Sequence, residues 1–136
     1  MTRPKWKHSL IQERLRALLK RAAPEMFVGV EILFRALPEN ELRVADVAMV
    51  SHDRTQQTDP EDNLHGAPEL VAEVLSPSNT VAEMNDKERL CLENGSKEFW
   101  VVDPDLRQVK ATTPDGITTT FRGGQQIPLS AFGGPR

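Results

Sequence analysis

Apolar and polar residues follow two rhythms along this chain, and each change of rhythm marks an element. From His8 to Arg21, Ile11, Leu15, Leu18 and Ala22 recur at steps of four, three and four, the stripe of an amphipathic helix that packs on a core. At Phe27 the period drops to two, and Val28, Val30, Ile32 and Phe34 alternate with other residues as one face of a strand does. Pro38, Glu39 and Asn40 carry turn chemistry, so Leu42 to Val50 reads as a second strand, paired with the first in a hairpin. Residues 51 to 68, rich in Asp, Pro, Asn and Gly, predict a polar connection long enough to be mobile or to lie near a ligand.

Leu70 to Leu75 is a short apolar run broken only by Glu73 and stopped by Ser76-Pro77-Ser78, as expected of a strand buried on both faces. Thr80 and Glu83 have the spacing of a capping box and Asn94-Gly95 supplies a left-handed stop, which predicts a helix over 80–94. Phe99 to Val102 is another apolar strand, ended by Asp103-Pro104. Val109–Thr112 and Ile117–Phe121 flank Pro114-Asp115-Gly116 and make a closing hairpin, after which Gly123 to Arg136 reads as coil. Helix, three strands, helix, three strands describes an α/β (α+β) chain with a mixed central sheet flanked by helices. The expected organisation is one domain over 1–136, with 1–7 and 130–136 as frayed tails.

Size supports a single unit, because 136 residues with 38% apolar content fill one core and not two. Cys91 is the lone cysteine, so no intramolecular disulfide can form, and a reducing cytoplasm is the expected location. No run approaches the roughly 18 apolar residues of a membrane span, and Gln12, Glu13, Arg14 and Arg16 interrupt what would be the apolar stretch of an export signal. The net charge of −3 conceals an asymmetry: residues 1 to 21 hold seven Lys/Arg against the single acid Glu13. Such a basic arm suits nucleic-acid phosphates, and it equally suits a solvated helix face.

Three polar residues stand where burial should exclude them. By the period of two, Asp46 shares its side of the second strand with Val44, Ala48 and Val50; Glu73 lies between Ala72 and Val74; Lys87 falls on the inward stripe of its helix with Met84 and Cys91. A buried carboxylate without a partner costs several kcal/mol, so each acid needs a cation, a donor or a path to solvent. Phosphodiester hydrolysis uses such a set: two carboxylates and the Val74 carbonyl to hold Mg²⁺ or Mn²⁺, and an amine to orient water and offset transition-state charge. Taken singly, each residue also has a plain structural role, as a strand-end Asp, an ion-paired Glu, and the i, i+4 partner of Glu83.

The words around these residues carry more. RVADVAMV, then APELVAEVLSPSNT, then EMNDKERLCLENGSKEFWVVDP resemble the Uma family of restriction-endonuclease relatives, a branch of the PD-(D/E)XK nuclease superfamily, over about His8 to Asp103. The resemblance implies a restriction-endonuclease-like fold and a metal-dependent DNA endonuclease. Asp46 matches the Asp of the PD motif and Glu73 the acid of the E-x-K motif, both metal-binding in the superfamily. The lysine expected two positions after Glu73 is Leu75 here, and Lys87 matches its migrated substitute. Ala45 replaces the proline before the first acid, and Cys91 stands where Tyr is common. Glu13 and His8 are the first-helix residues whose part in the site stays open. A homodimer is expected by analogy, since cutting two strands takes two centres. The competing reading is a catalytically silent nucleic-acid-binding or dimerisation module that keeps the fold.

Overall fold

The computed structural model describes residues 5 to 129 and 132. Ten elements follow in order: α1 (Trp6–Ala22), β1 (Phe27–Ala36), β2 (Glu41–Val50), α2 (His52–Gln57), β3 (Leu64–His65), β4 (Leu70–Val74), α3 (Val81–Glu93), β5 (Glu98–Asp103), β6 (Gln108–Thr112) and β7 (Thr118–Arg122). The strands form one mixed sheet in the order β3-β1-β2-β4-β5-β6-β7. Only β1/β3 and β4/β5 run parallel.

Each face of the sheet is covered by one long helix. Leu15 and Leu19 of α1, with Ala23 at its C-cap, pack with Met49, Leu70, Ala72 and Trp100 on one side. Met84, Leu90 and Cys91 of α3 pack with Ala48, Val71 and Phe99 on the other. β4 is therefore buried along its whole length, as its apolar run predicted. The expected capping box holds α3: Thr80 Oγ1 accepts from the Glu83 N–H and the Glu83 carboxylate accepts from the Thr80 N–H.

Several expectations need correction. The buried stripe of α1 runs through Gln12, Leu15 and Leu19, while Leu18 is 60% exposed. Steps of 11, 15, 18 and steps of 12, 15, 19 both fit a 3.6-residue period, and the sheet selects the second. Of the expected frayed ends, Trp6 and Lys7 are helical and Phe132 is buried against the α1-side core; residues 1–4, 130, 131 and 133–136 lie outside the described residues. Asp46 does not simply share a face with Val44, Ala48 and Val50. Val28 and Val30 face the α1 side, yet Ile32 and Phe34 face the α3 side. Likewise Val47 and Met49 face α1 while Ala45 faces α3. The alternation reverses at Glu31, which has φ 53°, directly across the hairpin from Asp46. A non-glycine residue in the left-handed region is costly and is tolerated where surrounding structure demands it.

Residues 51–68 are not one irregular connection. They contain α2, capped by Ser51, and β3, which pairs with β1. Arg54 is the reason: Nη1 donates to Ala67 O and to Glu69 Oε1, both at 2.8 Å, and Nη2 donates to His65 O at 3.1 Å. This clamp sits at the start of β4, the opposite end from Glu73. Arg54→Ala strips several charge-assisted bonds at once and is expected to cost about 2 kcal/mol in urea-induced unfolding. An unchanged midpoint would contradict the clamp.

Among the described residues, no helix is long and apolar enough to cross a membrane.

Candidate active site

β2 and β4 pair through Val47↔Ala72, Ala48↔Val71 and Met49↔Leu70, and the ladder stops there. The next residues along, Asp46 and Glu73, replace ladder bonds with a crossed pair of side-chain bonds. Glu73 Oε2 accepts from the Asp46 N–H at 2.9 Å, and Asp46 Oδ2 accepts from the Val74 N–H at 2.9 Å. The two strands part at this point, and each acid is tied to the main chain of the opposite strand. Lys87 reaches the same place from α3, with Nζ 2.7 Å from Glu73 Oε1. Its side chain is 19% exposed and that of Glu73 only 7%. Glu73 thus connects the other two; the carboxylate of Asp46 lies on the Val74 main chain rather than on Lys87.

Burial, the largest influence, pushes the Glu73 carboxyl up to about 7. The Lys87 ammonium opposes that rise, Asp46 adds to it by like charge, and the hydrogen bonds from Lys87 and the Asp46 N–H oppose it. One ammonium therefore does not compensate two neighbouring acids removed from water. Cys91, behind Glu73, is a buried thiol pushed up to about 12 by burial first and by Glu73 second, so it is inert as a nucleophile.

Residues of α1 complete the surroundings, and sequence reasoning had missed one and left one open. Gln12, 4% exposed, donates from Nε2 to Asp46 O at 3.0 Å. His8 places Nε2 3.3 Å from Asp46 Oδ2. A polar residue on the buried stripe between Ile11 and Leu15 is the signal that could have found Gln12. Glu13 is elsewhere, exposed and ion-paired with Arg16. His65 pairs with Asp62 at the sheet edge. Trp100 fills the core as expected, its indole N–H donating to Glu98.

Two cavities meet the end of β4. One of about 500 Å³ is lined by Lys5, Lys7, His8, Val74, Ser76 and Ser78 among others. The other, about 430 Å³, includes Arg43, Glu73, Asn79, Met84 and Lys87. Glu73 and Val74 are consecutive, so the strand end separates the two. A larger cavity, about 720 Å³, lies away from the acids, beside Lys20, Phe27 and His52.

The donor set fits a hard divalent cation. It offers carboxylate and main-chain oxygens and a buried acid short of positive charge. The described residues contain no group of three or more His, Cys, Asp or Glu side chains placed to hold a metal ion. Two acids suffice for Mg²⁺, which keeps most of its water.

The family model described as "Uma2: Putative restriction endonuclease" matches residues 1–134. A crystal structure from Anabaena variabilis, described as "a putative nuclease belonging to DUF820", aligns with a TM-score of 0.82 at 21% identity, covering 96% of this chain and 76% of that one. That likeness shows a shared fold, a mixed seven-stranded sheet with flanking helices. No curated protein matches the chain.

Proposed function

The chain belongs to the Uma2 restriction-endonuclease family, and on that premise we propose that it is a divalent-metal-dependent endonuclease that hydrolyses phosphodiester bonds in DNA. One observation carries most of the support. Asp46, Glu73 and Lys87, separated by 27 and 14 residues along the chain, are linked by hydrogen bonds at one strand end where the sheet opens.

Asp46, Glu73 and the main-chain carbonyl of Val74 would hold Mg²⁺ or Mn²⁺. When bound, the cation supplies Lewis acidity toward a phosphate oxygen and lowers the pKa of water. Lys87, steered by Glu73, orients the attacking water, favours its ionisation by positive charge, and offsets negative charge that builds on the phosphorane-like transition state. Lys5 and Lys7, on the rim of the adjoining cavity, meet flanking phosphates. The working unit is one domain over residues 1–136, acting in the cytoplasm, and two copies would cut both strands of a duplex.

Supercoiled plasmid incubated with the protein is expected to give nicked and linear forms with Mg²⁺ or Mn²⁺ and to stay intact in EDTA. Plasmid that stays intact with both metals while the protein still retards it in a gel would favour the silent binding module instead.

A further inference from the structure

Asp46 is held in an unusual way. On the side of β2 that faces β4, its main chain lacks a strand partner, because the ladder ends one residue earlier. Its N–H is taken by Glu73 and its C=O by Gln12. Across the hairpin stands Glu31 with its left-handed backbone, so regular strand geometry fixes Asp46 from neither side. What remains is support from side chains, and α1 supplies two of them.

His8 and Gln12 are four residues apart and so project from the same face of α1. Gln12 grips the main chain of Asp46 while His8 stands against its carboxylate. Both are polar groups kept in buried positions, with the His8 side chain 11% exposed and its Nδ1 lacking a partner among the described residues. An apolar residue at either place would pack without that cost. We propose that His8 and Gln12 form a two-point clasp that sets the position of the Asp46 carboxylate for a divalent cation. α1, which contributes no acid to the site, thereby becomes one of its positioning elements. His8 Nε2 lies 3.3 Å from a carboxylate oxygen, a contact that casts it as the partner of a ligand and not as a ligand. The clasp rests on the nuclease reading given above.

Mn²⁺ titration by calorimetry, without DNA, tests it, with melting temperature followed in parallel. Wild type is expected to bind and Asp46→Asn not to bind. His8→Ala should weaken Mn²⁺ binding by about 10- to 100-fold while melting within roughly 3 °C of wild type. His8→Gln, whose amide can donate toward the same oxygen, should recover part of the loss, and Gln12→Ala should weaken binding by about tenfold. Unchanged affinity in His8→Ala and Gln12→Ala would overturn the clasp and leave the nuclease reading standing. Complete loss in His8→Ala, matching Asp46→Asn, would make His8 a ligand and overturn it as well. A wild type that binds no Mn²⁺ would remove the nuclease reading and the clasp together.

Discussion

Asp46→Asn is expected to abolish metal-dependent nicking of plasmid DNA while leaving the chain folded. The substitution keeps the shape of the side chain and an oxygen able to accept from the Val74 N–H, so the crossed bonds at the end of β4 persist. It removes the negative charge that a hard cation requires. Lys87→Ala should act differently. It leaves both acids in place, so Mn²⁺ still binds, but the amine beside the attacking water is gone. Loss of one such group typically lowers turnover by about 10²- to 10³-fold. Single-turnover nicking rates together with Mn²⁺ affinities separate the two effects: Asp46→Asn fails in both, Lys87→Ala in rate alone. Wild-type rates in both variants would assign the cleavage to something other than this site.

The second large effect concerns stability. The folded-state pKa of Glu73 is raised from 4.5 to about 7, so the native state holds this proton more tightly than the unfolded chain does. The contribution of Glu73 to stability is thus fully present below pH 4.5 and is lost as pH rises through about 7. Across that window its loss amounts to roughly 3 kcal/mol. Glu73→Gln cannot ionise and should show a flatter dependence of unfolding free energy on pH between 5 and about 8. A bound cation should offset the deficit at the upper end, by about 2.7 kcal/mol when present at a hundred times its dissociation constant. Urea unfolding over a pH series, with and without Mg²⁺, measures both. Parallel curves for wild type and Glu73→Gln would show that Glu73 is not buried in charge-deficient surroundings.

Much of this was legible in the sequence because local chemistry and burial point the same way. The α3 boundaries follow from Thr80, Glu83 and Asn94, and β4 follows from an apolar run too short for a helix. The parts that were not legible share one cause, which is dependence on distant residues. The six residues of α2 have no apolar period, and the two of β3 are too few to show one; both are organised by Arg54 and its carbonyl partners. The face reversal at Glu31 and Asp46 has no sequence signature, since alternation continues through it undisturbed. Asp46, Glu73 and Lys87 stood out as polar residues in apolar surroundings. His8 did not, because a histidine in the first turn of a helix looks unremarkable until the strand that it meets is known.

A crystal soaked in Mn²⁺ and examined by anomalous scattering bears most directly on the shared ion. One peak is predicted at the end of β4, with oxygens of Asp46 and Glu73 and the Val74 carbonyl at about 2.1 Å. A peak bound to only one of the two acids, or to neither, would contradict a common metal centre.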